Sequence, residues 1–152
     1  MSDIEVVQWI DEELAAMERE RRLVEDAPTM WLDLKAAIDH AVAYFASRQH
    51  ELLIETNGNQ QYLRTVRVKH AERDNATWKR AALIEFDRSQ LSIRASYSFP
   101  EESDCPANKL LNIAIASNKK AGFRYEDCEV STVDAARLLL WPVLFGNRPE
   151  PT

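Results

Sequence analysis

Glycine is scarce in this chain: its 152 residues include only Gly58, Gly122 and Gly146. Phosphate-binding loops need clustered glycines ahead of a helix, and the G-x-S-x-G elbow of many hydrolases is missing as well. Each glycine is explained by a turn or by the exit from a helix. Nucleotide binding through a standard loop and this form of nucleophilic catalysis are therefore not expected.

Cysteine and histidine are also rare. Cys105 and Cys128 form no C-x-x-C pair, and acidic neighbours disfavour the thiolate of each. The histidines His40, His50 and His70 fall in different predicted elements, without the spacing of a metal site. We therefore expect no metal, no cofactor and no catalytic residue, and an enzyme is the less favoured class.

Long apolar runs are absent too. No basic region precedes an apolar segment at the N-terminus, and the longest runs, such as residues 138–145, are far too short to span a bilayer. The sequence predicts no membrane partner. The simplest expectation is a cytoplasmic protein with reduced thiols.

Positive charge is in deficit, with 19 basic against 25 acidic residues and a net charge of −6. This balance argues against a general nucleic-acid binder, which needs clustered Lys and Arg. It suits ordinary solubility or a basic partner. The 45% hydrophobic content is that of a globular protein.

Apolar periodicity predicts two helices at the N-terminus. Residues 3–26 carry an apolar stripe at spacings of three, four and seven, and Pro28 is predicted to end this helix. A second helix, capped by Thr29, has a wide apolar face and ends near Ser47. The first stripe is Val7, Ile10, Leu14, Met17 and Val24; the second face is Trp31, Leu34, Ile38, Ala41, Val42 and Phe45.

Alternating residues predict a sheet built from hairpins. The clearest strand is Leu91–Phe99, and a four-residue loop at 87–90 would join it to the strand before it. That loop pairs Phe86 with Leu91, Ile84 with Ile93 and Ala82 with Ala95. Further strands are predicted around Leu111, Ile113 and Ile115 and around Phe123 and Tyr125.

The first hairpin, residues 51–69, contains Asn57-Gly58, the preferred dipeptide of a type I′ turn. A two-residue loop there would place Leu53, Tyr62, Val66 and Val68 on one face together with Arg64. An arginine among apolar residues leaves this register open.

A third helix is predicted after Val130, capped by Ser131 or Thr132 and kinked or ended by Pro142. The expected fold is α+β: two N-terminal helices, an antiparallel sheet of about five to six strands and a buried C-terminal helix, with the helices on one sheet face. Residues 1–146 would form a single domain and 147–152 a flexible tail. Whether the first helix packs on its own sheet stays open.

Candidate partner-binding residues are found in two places. Arg67, Lys69 and Arg94 fall on the predicted exposed sheet face, with Trp78 and Tyr62 nearby if the strands pair in order, and could hold an acidic peptide or a single nucleic-acid strand. Trp9 lies off the first apolar stripe and is a candidate contact residue.

The leading hypothesis is a non-enzymatic protein-binding module of the adaptor, escort chaperone or inhibitor type. It would bury apolar helix or sheet surface against a protein partner, with acidic steering, and a homodimer is a natural companion. One alternative is a small-molecule site or modest enzyme with a pocket between helices and sheet; the other is weak nucleic-acid binding on the exposed sheet face. The pocket would use Tyr44, Phe45, Tyr97 and Tyr125, with Arg80 or Arg124 as anion ligand.

Overall fold

The computed structural model describes residues 2–58, 61–71, 78–100 and 104–151. Within them, two helices flank a run of strands along the chain. The elements are α1 (Asp3–Arg48), β1 (Leu52–Asn57), β2 (Leu63–His70), β3 (Arg80–Asp87), β4 (Ser92–Ser98), β5 (Lys109–Ile115), β6 (Ala121–Tyr125), β7 (Cys128–Val130) and α2 (Thr132–Phe145).

The strands form one antiparallel sheet in the order β1-β2-β3-β4-β5-β6-β7, so each strand pairs with its neighbours in sequence. The predicted α+β class is confirmed, but the count of five to six strands is wrong because β7 was missed. A two-residue turn, Glu126-Asp127, joins β6 to β7 with φ values of 49° and 64°. Positive φ at both positions is the type I′ geometry, which Asn-Gly announces and Glu-Asp does not.

The prediction of two N-terminal helices separated at Pro28 is also wrong. α1 is one helix of 46 residues that passes through Pro28 and, at 1.5 Å per residue, is about 69 Å long. A proline inside a helix removes one hydrogen bond and costs about 3 kcal/mol relative to alanine. Ala27 and Trp31, 0% and 1% exposed, flank Pro28 and fix the helical backbone there by packing in the core.

Both helices contribute to a core on one face of the sheet, as predicted. Ile84 and Ile93, on the two central strands, are both fully buried beneath the helices. From α1, only residues from Ala27 onward reach the buried class. The largest fully buried side chains are Trp31, Leu34, Ile38, Val66, Val68, Ile84, Ile93, Leu111, Leu139, Leu140 and Val143.

The hairpin between β3 and β4 exists, but its predicted register is wrong by two residues. The observed pairs are Phe86 with Ile93, Ile84 with Ala95 and Ala82 with Tyr97. The turn lies at 88–91 because the Asp87 carboxylate accepts hydrogen bonds from the Ser89 hydroxyl and the Gln90 N–H, while Leu91 takes a φ of 48°. A shift of two residues leaves every side chain on its predicted face.

In the first hairpin the predicted two-residue loop is wrong. The predicted placement of Leu53 on the same face as Val66 and Val68 is wrong as well. β1 ends at Asn57 and β2 begins at Leu63; Ile54 pairs with Val68, so Leu53 points the other way and is 48% exposed. Gly58 has a φ of 146°, outside the type I′ range, and a Cβ there would lie 2.4 Å from the Leu63 carbonyl oxygen. The predicted Asn-Gly turn therefore opens into a longer connection, of which residues 59 and 60 lie outside the described part.

α2 continues through Pro142, and the sheet compensates for the missing N–H. An alanine at position 142 would donate to the Leu138 carbonyl; here Nζ of Lys109 donates to that oxygen at 2.7 Å. One residue on, the Tyr97 hydroxyl donates to the Leu139 carbonyl at 2.7 Å. Burial lowers the pKa of Lys109 and raises that of Tyr97.

The C-terminal end of α2 is closed by Arg80, which is 6% exposed. Its guanidinium donates to the carbonyls of Val143 and Leu144, at 2.8 and 3.1 Å, where a cation also complements the helix dipole. The indole N–H of Trp141, on α2, donates at 2.7 Å to the carbonyl of Arg148, which lies beyond the end of the helix. Residues of the predicted tail thus contact α2, and Thr152 lies outside the described residues.

Candidate functional site

The most unusual surface belongs to the first part of α1, residues 3–26, which we call the projecting half. Ala27 is the first buried residue of the helix, and residues 27–48 form the packed half on the sheet. The projecting half is about 36 Å long at 1.5 Å per residue. Leu23, near its end, packs against the core. Among the described residues, little else packs against the remainder of this half, whose side chains are mostly exposed.

The side chains left in solvent include every member of the predicted apolar stripe. Their exposed fractions are Val7 58%, Ile10 44%, Leu14 56%, Met17 63% and Val24 43%. An apolar stripe does not stabilise a helix that is surrounded by water. A contiguous exposed apolar patch instead marks an interaction surface. The sequence identified the stripe and left its burial open; the structure shows that this chain does not bury it.

A stricter repeat links the two halves of α1. Apolar residues recur every seven positions from the exposed stripe into the core: Ile10, Met17, Val24, Trp31, Ile38 and Phe45. Seven-residue spacing is the pattern of helices that pack against another helix. It runs through Pro28 without a break. This is the signal that could have predicted one continuous helix from the sequence.

The projecting half also carries the charge imbalance of the protein. Residues 3–26 hold nine acidic and three basic side chains, which gives −6, the net charge of the whole chain. The other 16 acidic and 16 basic residues cancel. The acidity noted in the composition is therefore a property of one helix half, and it lies beside the apolar stripe.

The acids flank the stripe at regular positions. With Val7 and Leu14 at heptad position a and Ile10 and Met17 at d, positions e and g are acidic throughout residues 11–25. These residues are Asp11, Glu13, Glu18, Glu20 and Glu25.

Ion pairs within the helix balance part of this charge. Arg21 contacts Glu18 at 2.5 Å and Glu25 at 2.6 Å, and Glu18 also lies 3.5 Å from Arg22. The hydrogen bond from Arg21 lowers the pKa of the Glu18 carboxyl. These exposed pairs add little stability but favour the helical conformation of a segment that lacks tertiary support.

Trp9 is 58% exposed in the projecting half. It lies beside the stripe rather than in it, because its helical neighbours at three and four residues are Glu5, Val6, Glu12 and Glu13, none of them a stripe residue. The structure therefore keeps this predicted contact residue available, on a different side of the helix from Leu14.

On the exposed sheet face, three of the predicted residues meet. The Arg67 guanidinium and the Lys69 ammonium lie 4.3 and 4.9 Å from the ring centre of Trp78. Arg67 also forms an ion pair with Glu55 on β1. The result is a small patch of mixed charge around one aromatic ring.

The structure does not bring Arg94 or Tyr62 to this patch. Arg67 lies opposite Ala81 and Arg94 opposite Glu85, four residues apart along β3, or about 14 Å. Tyr62 lies at the other end of β2, where its carbonyl accepts a hydrogen bond from the N–H of Phe86. In the part of the chain that the structure describes, basic residues and aromatics therefore do not form a continuous track across this face.

Of the residues predicted to line a pocket between helices and sheet, Tyr125 lies near enough to Tyr97 to add to the rise in its pKa that burial causes, but the others do not join this pair. The Tyr97 hydroxyl and Arg80 are engaged with α2, and Arg124 donates to the Asp127 carbonyl at 2.7 Å in the β6–β7 turn. Tyr44 and Phe45 face a different place, a groove between the two helices.

Within the described residues, no cluster of three or more metal-ligating side chains occurs, and no helix has the length and apolarity needed to cross a membrane. Comparison of the chain with protein families, curated proteins and solved structures finds no match. The arrangement of the chain's own residues is therefore the basis for proposing a function.

Proposed function

We propose that this chain is a non-enzymatic protein-binding module that binds its partner with the projecting half of α1. The observation that carries the proposal is the exposed apolar stripe on a helix that continues without a break into the packed half. The stripe side chains would pack into an apolar groove or against an apolar helix face of the partner.

The size of the stripe suits reversible binding. Full burial of one such side chain is worth about 1.5–3 kcal/mol, and the five are roughly half exposed. Completing their burial is worth about 4–8 kcal/mol before the cost of association is deducted. The helix is already formed and anchored, so little ordering entropy opposes binding.

The flanking charge defines the chemistry of the partner. Acidic residues at both edges of the stripe would repel an acidic partner and steer a basic one, and this steering weakens as salt is added. The partner surface is therefore apolar with a rim of Lys or Arg. Pairing of two such stripes with each other would place acids against acids in either orientation.

Site-specific photo-crosslinking in cells that produce the full chain tests the proposal. A photoreactive residue at Leu14 samples the stripe; one at Arg19, about 140° around the helix, samples the opposite side. We expect a crosslinked product of defined mass from Leu14 and at least tenfold less from Arg19.

Two double variants complete the test. Ile10→Glu with Met17→Glu places charge in the stripe and should abolish the crosslink. Gln8→Glu with Ala15→Glu adds the same charge at the same spacing on the other side and should leave it intact. Equal yields from Leu14 and Arg19, or equal loss in both variants, would contradict the proposal.

A further inference from the structure

A groove between α1 and α2 is a second apolar surface without a partner. Its volume is about 500 Å³, and its floor includes Ala37, Ala41 and Leu140. Exposed apolar side chains stand at its edges: Tyr44 is 59% exposed and Val133 is 73% exposed. The groove is thus deeper than a flat surface and open to water along its length.

The charged residues that line the groove are basic. They are Arg48 and Arg137; His40 also lines the groove, and no carboxylate of the described residues does. Arg48 lies 5.3 Å from the ring centre of Tyr44. Arg137 also approaches Asp134 and Glu150, at 3.5 and 3.7 Å, so part of its charge is balanced from outside the groove.

We propose that the projecting half of one copy of this chain packs into the interhelical groove of a second copy. This inference rests on the proposed function and names the partner. Each surface supplies what the other lacks: an apolar stripe between acidic edges meets an apolar groove with a basic rim. The docked segment would become a third helix beside α1 and α2.

Dimensions support the same contact. The projecting half has 24 residues and is about 36 Å long, which is more than enough to fill the groove. The groove follows the packed half from Ala37 to Arg48. Three turns of a docked helix, carrying Val7, Ile10 and Leu14 at its centre, span that distance.

The contact joins two different surfaces, and this sets the assembly. If two copies exchange their projecting halves, the pair closes as a dimer; one-way docking would continue into larger species. Both arrangements need the stripe of one chain and the groove of another. This dependence separates the proposal from pairing of stripe with stripe.

Sedimentation of the full chain between 1 and 200 µM, at low and high salt, provides the test. We expect wild-type self-association, weakened at least tenfold by Ile10→Glu with Met17→Glu and also by Tyr44→Glu with Val133→Glu in the groove. Leu53→Glu with Leu110→Glu, on the exposed sheet face, is the matched control and should behave as wild type.

Mixing the stripe variant, Ile10→Glu with Met17→Glu, and the groove variant, Tyr44→Glu with Val133→Glu, distinguishes a stripe-to-groove contact from a stripe-to-stripe contact. Neither variant associates alone, but the mixture contains one intact stripe and one intact groove and should recover a complex. No recovery, with the stripe variant monomeric, would indicate stripe-to-stripe pairing and overturn the proposal.

The remaining outcomes separate this inference from the proposed function. If the wild type is monomeric and its Leu14 crosslink has the mass of a different protein, docking of a second copy is contradicted. The same result supports the proposed protein-binding module. A monomer whose groove retains a small apolar molecule in native mass spectrometry also overturns the contact. A monomer without a stripe-specific crosslink contradicts both.

Discussion

Two isoleucines on α1 provide a matched test of how the helix divides. Ile10 and Ile38 occupy the same heptad position four repeats apart, but Ile38 is 0% exposed and Ile10 is 44% exposed. Replacement of a buried isoleucine by alanine costs about 2–5 kcal/mol, because transfer free energy is lost and a cavity remains. Ile38→Ala should therefore lower the free energy of unfolding by about 3 kcal/mol.

Ile10→Ala should lower it by less than about 0.5 kcal/mol. No cavity forms at a half-exposed site, and the better helix propensity of alanine offsets much of the lost contact. Urea denaturation followed by circular dichroism measures both values. With a slope of about 2 kcal/mol per molar, Ile38→Ala should shift the midpoint by about 1.5 M.

Protein concentration supplies the control. At 1 µM the two variants should differ as stated; at 200 µM the cost of Ile10→Ala should rise if association stabilises the wild type. Equal costs at low concentration would refute the division of α1 into projecting and packed halves.

Three further predictions concern individual polar contacts, two between helix and sheet and one in the β3–β4 turn. Lys109→Met should cost about 1–3 kcal/mol, and less in a Pro142→Ala background, where a new N–H replaces the lost donor; additive costs in a double-mutant cycle would contradict this. Asp39→Ala should destabilise more than Arg64→Leu, by about 1 kcal/mol, because it leaves an arginine whose side chain is only 12% exposed without its carboxylate at 2.8 Å; the reverse order in denaturation would refute it. The hydrogen bond from the Ser89 hydroxyl lowers the pKa of Asp87 in the folded protein. The ionised carboxylate therefore stabilises the fold above about pH 4, and this stabilisation is lost as the pH falls through the lowered pKa. In Asp87→Asn the free energy of unfolding should fall less steeply at acidic pH than in wild type, and an unchanged fall would contradict this.

Periodicity predicted what depends on side-chain pattern alone. The faces of the central strands, the hairpin between β3 and β4, the Ser131 cap of α2 and the burial of Ile84 and Ile93 all follow from alternation and capping chemistry. Even the register error of two residues preserved the faces, since strands alternate with period two.

The errors arise where backbone geometry or packing outweighs local preference. A helix end is predicted at Pro28 because proline disfavours the helix interior. In the structure, core packing on one side of Pro28 and ion pairs on the other stabilise α1 as one continuous helix. Glu126-Asp127 adopts a type I′ turn, which Asn-Gly would predict more strongly. Gly58 lies in a connection longer than two residues. The exposure of the stripe could not be predicted, because a periodic pattern does not say which surface covers it.

The account depends most directly on α1 being one continuous helix through Pro28. Spin labels at Gln8→Cys and Ser47→Cys, in a chain whose exposed Cys105 and Cys128 are changed to serine, measure its length by pulsed electron paramagnetic resonance. Diluting the labelled chain with unlabelled protein keeps the distance within one molecule. A continuous helix predicts a main distance near 58 Å, from 39 residues at about 1.5 Å each. A main distance below about 40 Å would mean that the chain folds back at Pro28, and the projecting half would not exist.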